Sequence, residues 1–254
     1  MCTLLHANPE PFFERYPLMK RVIIVLVSLA LTSPVAQAKG RPSLPAPDPE
    51  RGSIAVTVWK PGFNIGRHPR TSVDEVFFVK LDEGSKFFGD SGLIMSSHTD
   101  SGQTYLLNAS PGRYVAVAAR RRNHTLTLKF EDMGGNDYRY LFPMALIAES
   151  EVTVVEGKMT FMGRYWLAVA RLAPRAKHLD AAQAHYSRRL PLRSSHGGYF
   201  SRTTYSVRMK RVAKDSETER RFWTIARDKA FKGDPRWQVQ VQRQLDAMEK
   251  REPN

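Results

Sequence analysis

The chain has 254 residues, of which 42% are hydrophobic and 10% aromatic, with a formal net charge of +14. That is enough apolar material for a packed core, and it excludes a disordered polyelectrolyte. The single cysteine is Cys2, so disulfides, thiolate metal sites and cysteine nucleophiles are excluded for everything that follows the first residues.

The first element is a secretion-like segment. Lys20 and Arg21 precede an uncharged, mostly apolar run from Val22 to Leu31; Pro34 then breaks it, and Ala36-Gln37-Ala38 supplies small side chains at a cleavage position. This is the three-part pattern of a signal peptide, with cleavage expected after Ala38. The run is shorter than the ~20 apolar residues that span a bilayer. Residues 1–18 make an unusually long, mixed leader, which favours Met19 as the true start; either start gives the same product. No cysteine adjoins the cleavage position, so the product is expected to be soluble, without a lipid anchor, in the periplasm or secreted.

Residues 39–51 hold four prolines among small and charged residues and read as an extended linker. From Ser53 the chain alternates in the manner of strands. Ile54, Val56 and Val58 interleave with Ala55, Thr57 and Trp59. Val76 to Val79 is an apolar run. Tyr105 to Leu107 leads into the turn cluster Asn108 to Gly112, after which Tyr114 to Ala119 resumes. Leu126, Leu128 and Phe130 alternate with polar neighbours. Tyr138 to Ile147, Val152 to Val155 and Met159 to Val169 complete the series. Seven to nine such segments without a convincing helix predict a mainly β domain over residues 52–170, an antiparallel β-sandwich.

Residues 171–254 differ in charge. Counted by segment, residues 1–38 carry three Lys/Arg and two Asp/Glu (+1), residues 39–170 carry 16 and 14 (+2), and residues 171–254 carry 20 and 9 (+11). Leu179 to Leu190 fits a short helix and Thr203 to Val212 one further strand. The spacing then predicts a helical hairpin over 216–250. Ser216 and Glu219 form a capping box, Gly233 ends the first helix, Asp234 caps the second and Pro235 opens it. Trp237, Val241, Leu245 and Met248 make one apolar stripe.

Chemistry-bearing motifs are sparse. The seven histidines are dispersed, with no metal-ligand spacing. The chain contains no Gly-x-Ser-x-Gly elbow, phosphate loop or Gly-x-Gly-x-x-Gly turn. Ser195-His196-Gly197-Gly198 reads as a basic loop. Glu131, Asp132, Asn136 and Asp137 around Gly134-Gly135 read as a hairpin turn, since their spacing matches no calcium loop. Arg120-Arg121-Arg122 reads as a strand leaving for solvent. No catalytic residue, cofactor or metal is expected. The most suggestive stretch interleaves cations with flat rings: Arg188, Arg189, Arg193, Arg202, Arg208, Lys210 and Arg211 as anion-binding candidates, with Tyr199, Phe200 and Tyr205 as stacking surfaces.

The segments "YLLNASPGRYVAVAA" (105–119) and "EVTVVEGKMTFMGRYW" (151–166) resemble the prealbumin-like or carboxypeptidase-regulatory-like sandwich modules of bacterial envelope proteins, over residues 52–170 only. The resemblance implies that Pro111-Gly112 makes a turn and that Tyr114 packs inward. It implies no catalytic residue, because such modules are mostly non-enzymatic.

The expectation is therefore an exported, non-catalytic envelope protein whose basic C-terminal region binds an anionic lipid headgroup, an acidic polysaccharide or an envelope protein. Export disfavours nucleic acid. The alternatives are an enzyme acting on an envelope polymer, with two or more of His98, His124, His196, Asp132 and Asp137 in one pocket, and a structural subunit that docks its 237–248 stripe on another protein. The chain expressed from its own gene should be recovered from the periplasm with an intact mass that begins at Lys39. A full-length cytosolic product would overturn the compartment and restore nucleic acid as a partner.

Overall fold

The computed structural model describes residues 43–61, 70–82, 84, 92–124, 135–172, 176–190 and 201–251, with the side chains of 60, 61, 70, 71, 123, 124, 135, 136, 171, 172, 176, 201 and 202 outside the description. The chain divides into a unit Met1–Ser43 and a unit Leu44–Asn254. The second carries all the described elements.

The strands are β1 (Gly52–Pro61), β2 (Arg70–Ser72), β3 (Glu75–Leu81), β4 (Ile94–Met95), β5 (His98–Asp100), β6 (Gln103–Ala109), β7 (Gly112–His124), β8 (Gly135–Leu141), β9 (Val152–Val154), β10 (Met159–Leu172) and β11 (Ser201–Ala213). The helices are α1 (Met144–Glu149), α2 (Ala181–Arg189), α3 (Ser216–Ile225) and α4 (Pro235–Glu249). The strands form one sheet in the order β4-β3-β7-β8-β11-β10-β1-β6-β5, with β2 added to β1 and β9 to β7. The sheet curls into a half-barrel. Its two path ends, β4 and β5, are consecutive in the chain, and between them Ser96 N–H donates to Val76 O at 2.9 Å and Ser97 N–H to Tyr105 O at 2.8 Å.

The antiparallel sandwich expected from the sequence is not formed. The sheet is mixed, because β1 runs parallel to β10 and β8 parallel to β11. Alternation along a strand reports which faces are buried and is the same whichever way the neighbour runs, so direction was not readable from it. Val152–Val154 and Met159–Leu172 flank a turn as expected, yet β9 pairs with β7 while β10 pairs with β1 and β11. The run Tyr138 to Ile147 is also divided. β8 stops at Leu141, and Pro143, which has no N–H for a ladder, opens α1, whose Leu146 and Ile147 N–H groups donate to its carbonyl at 2.9 and 3.0 Å. The expected strand Leu126 to Phe130 lies outside the described residues.

Two apolar clusters cover the two faces. Ile54, Val56 and Val58 of β1 belong to the first, with Leu106, Tyr165, Leu167 and Val207. Ala55, between them, belongs to the second, with Tyr105, Leu107, Met159 and the helical hairpin residues Phe222, Trp223, Trp237, Val241 and Leu245. β1 is therefore buried on both sides. Tyr114 is also buried, and its hydroxyl donates to Ser110 O at 2.8 Å.

The hairpin forms close to where the spacing placed it. The cap of α3 is Asp215 rather than Ser216: its carboxylate accepts from Thr218 N–H at 2.8 Å, and Glu219 accepts from Trp223 Nε1 at 3.0 Å instead of closing a box. Gly233 takes a left-handed φ of +94°, Asp234 accepts from Arg236 N–H at 3.1 Å, and Pro235 begins α4. The apolar stripe of α4 packs on the chain's own sheet. The stripe is therefore covered within the chain. Residues 44–48, expected as free linker, are held against it: Trp237 Nε1 donates to Pro45 O at 2.8 Å, Arg236 to Leu44 O at 3.1 Å, and the Asn108 amide to Ala46 O at 2.7 Å.

Trp237 is 2% exposed, so Trp237→Ala removes a buried indole from a face that cannot collapse around the gap. The expected loss is about 3–5 kcal/mol of unfolding free energy, measured by urea denaturation.

Candidate anion-binding site

The register of β1, β10 and β11 decides which side chains share a face. Thr57 is paired with Arg164 and Trp59 with Trp166 across β1–β10, and Trp166 is paired with Arg211 across β10–β11. Directly opposed residues point to the same side of a sheet. Thr57, Trp59, Arg164, Trp166 and Arg211 therefore lie together on the face that, further along β1, receives the helical hairpin at Ala55.

Trp166 is the centre of this group. The Arg211 guanidinium carbon lies 5.1 Å from its ring centre and that of Arg164 5.9 Å, both within cation–π range. Trp59, Arg164 and Trp166 are half-buried, while Arg211 and Arg221 of α3 are exposed. Three buried polar atoms of this group have no hydrogen-bond partner among the described residues: Thr57 Oγ1, Trp59 Nε1 and Arg164 Nε. An orphaned buried polar group costs about 1–3 kcal/mol, so three in one place is a concentration that needs a cause.

The local field points the same way. The pKa of Arg164 is lowered, first by burial and then by the positive charge of Arg221, with Asp215 opposing. Hydrogen bonds from the Thr218 N–H and hydroxyl, and secondarily the charge of Arg211, hold the Asp215 carboxyl below the usual range while it caps α3. Arg164 has no ion pair or hydrogen bond among the described residues.

The sequence-predicted residues do not fall in one place. Arg208, Lys210 and Arg211 are exposed on β11, and Arg188 and Arg189 are exposed in the last turn of α2. Arg202 is placed by its backbone on β11 opposite Asp137. Arg193, Tyr199 and Phe200 lie outside the described residues. Tyr205 is no stacking platform for a ligand, because it is 8% exposed and stacked on Tyr140 at 5.4 Å. Burial, and secondarily the neighbouring Tyr205, pushes the Tyr140 phenol far up, so it stays protonated and cannot serve as a base at neutral pH. Thr57, Trp59, Arg164 and Trp166 escaped the sequence reading, which assigned charge by segment and sought the anion-binding residues only beyond residue 170. Their signal was the Thr-x-Trp and Arg-x-Trp spacing, which on a strand places both members on one face.

The triplet Arg120 to Arg122 does not leave for solvent. β7 continues to His124, and Arg120, 1% exposed, is ion-paired with Glu75 and lies 5.5 Å over the Phe77 ring. Arg122 reaches the other Glu75 oxygen at 3.1 Å. Of the residues offered for an enzymatic pocket, Asp132 and His196 lie outside the described residues and only the backbone of His124 is described. His98 Nε2 lies 3.3 Å from Ala230 O, with its ring 5.7 Å from Tyr105, whereas Asp137 is bonded to Arg139 at 3.3 Å. Those two are not brought together. Among the described residues, no group of three or more His, Cys, Asp or Glu is placed to hold a metal ion. No described helix is long and apolar enough to cross a membrane.

No family model, no curated protein and no solved structure matches the chain.

The Glu75–Arg120 pair generates a sharp expectation. Glu75→Ala leaves a guanidinium buried without its counter-charge and should cost about 3–5 kcal/mol of stability in denaturant titration. A loss below ~1 kcal/mol, the level of a surface pair, would show that Arg120 is hydrated in solution.

Proposed function

We propose that this is an exported, non-catalytic protein of the cell envelope that binds an anionic envelope component through the cationic face of β10 and β11. The observation that supports the reading most directly is the placement of Arg164 and Arg211 at the Trp166 ring, with the positive charge of Arg221 acting on Arg164 from α3. Arg208 and Lys210 extend the charge along β11, both exposed. Such a face attracts any dense array of negative groups, and its pull falls off within a Debye length of about 10 Å at 0.1 M salt. Export, as expected from residues 19–38, makes lipid headgroups and acidic polysaccharides the natural ligands.

Sedimentation with phosphatidylglycerol vesicles tests it. Binding should be strong at low salt, fall as salt rises and be absent with phosphatidylcholine. The double charge reversal Arg208→Glu/Lys210→Glu should weaken it by more than about tenfold, since each cation near an anionic surface contributes about 1 kcal/mol. Binding that ignores both salt and charge reversal would overturn the reading.

A further inference from the structure

The three orphaned polar atoms, the two indoles and the three guanidiniums belong to one place, and together they specify a ligand more narrowly than charge does. We propose that Thr57, Trp59, Arg164, Trp166, Arg211 and Arg221 form a site for a phosphorylated sugar, the phosphate held by the arginines and the sugar ring seated against the indoles. This rests on the reading of the β10–β11 face as anion-binding and names its ligand class.

The geometry supplies each part. Arg164 and Arg211 lie 5.9 and 5.1 Å from the Trp166 ring centre. Stacking on an indole holds a guanidinium plane in place, and its fork of donors matches the oxygens of a phosphate. Arg164 Nε is buried and unpartnered, which a bound phosphate oxygen would correct. Arg221 brings a third positive charge beside Arg164 from α3. A dianion suits three guanidiniums better than a carboxylate does, because it neutralises two charges at one point.

The other half of the site is not anionic. Thr57 is 2% exposed and its hydroxyl oxygen has no partner; the Trp59 indole N–H is likewise buried and unpaired. Register places both on the face that carries Arg164 and Trp166. A hydroxyl and an indole N–H beside half-buried aromatic rings are what a sugar uses: ring hydroxyls for the polar atoms, C–H faces for the indoles. A glycerophosphate headgroup would fill the cationic half alone.

Calorimetric titration of the full chain with glucose 6-phosphate, glucose and inorganic phosphate separates the two halves. Glucose 6-phosphate should bind at least about tenfold more tightly than inorganic phosphate, and glucose alone should not saturate. Arg164→Gln should weaken glucose 6-phosphate by about tenfold or more. Arg221→Gln, at an exposed helix position where folding is not at risk, should weaken it in the same direction. Trp166→Leu should bring glucose 6-phosphate down to the affinity of inorganic phosphate, while Arg243→Gln, exposed on α4, should change nothing. Equal affinities for glucose 6-phosphate and inorganic phosphate in the unaltered protein, or indifference to both Arg164→Gln and Arg221→Gln, would overturn the inference. Displacement of glucose 6-phosphate by micelles of a phosphorylated glycolipid would support it with a membrane source, and saturable binding without displacement would support it with a soluble one. Salt-dependent vesicle binding with no glucose 6-phosphate site would overturn this inference and leave the anionic-surface reading standing. A glucose 6-phosphate site with no vesicle binding would do the reverse.

Discussion

The parallel pairing of β1 with β10 is the constraint on which the rest of the structure depends. It sets Ser53 against Met159 and Trp59 against Trp166, with one register shift between Ala55 and Val56. Because β1 is flanked by β10 on one edge and by β6 and β2 on the other, its backbone is satisfied along its length and both of its faces can be covered. Side chains of one parity feed the curl of the sheet and those of the other feed the helical hairpin. A slip of one residue would exchange the two sets and expose Ile54, Val56 and Val58 to the wrong neighbours. The start of β1 is fixed as tightly: a Cβ at Gly52 would stand 2.4 Å from Val155 O, so only glycine admits the turn that leads into β10. Partners roughly a hundred residues apart meet at a larger loop-closure cost than the strands of a hairpin, which makes this a slower, non-local assembly.

Charge in the molecule is sorted by what burial permits. Where a cation is fully enclosed it has a counter-charge, as Arg120 does in Glu75 and Arg139 in Asp137. Several cations of the C-terminal third are likewise neutralised locally: Arg227 by Asp228 at 2.7 Å, Arg236 by Asp234 at 2.8 Å. Arg208, Lys210 and Arg211 are exposed on β11 and Arg221 on α3, beside a β10 guanidinium whose charge burial and Arg221 disfavour. An isolated buried charge is costly, and Arg164, half-buried with an unpartnered Nε, bears part of that cost.

How much of this was legible in the sequence depends on the range of the interaction concerned. Local signals read well. Pro235 after Asp234, the left-handed Gly233 and the 237–248 stripe all concern residues within a few positions of one another, and the helices fall where those residues put them. The cap of α3 moved by one, to Asp215, because Ser216 and Asp215 are both competent and only the tertiary position of the helix decides between them. Strand existence was legible and strand partnership was not: Ile54, Val56 and Val58 announce a buried face, but nothing near them names Met159–Leu172 as a parallel neighbour. The site suffered the same limit. Arg211 was visible as one cation in a basic stretch; that it would sit over Trp166 and across from Trp59 follows only from a register that joins residues 59, 166 and 211.

The same long-range assembly makes the helical hairpin, which packs on the chain's own sheet, matter to the proposed anion-binding face. Phe222 and Trp223 are fully buried in the cluster under the hairpin, and Arg221 immediately precedes them on the exposed side of α3. Burying those two rings fixes the rotation of the helix, and with it the position of Arg221 beside Arg164. The hairpin is held from its other end by residues 44–48, through Trp237 and Arg236. Apolar packing positions this third cation, which makes no ion pair among the described residues and so keeps its charge open to the proposed ligand.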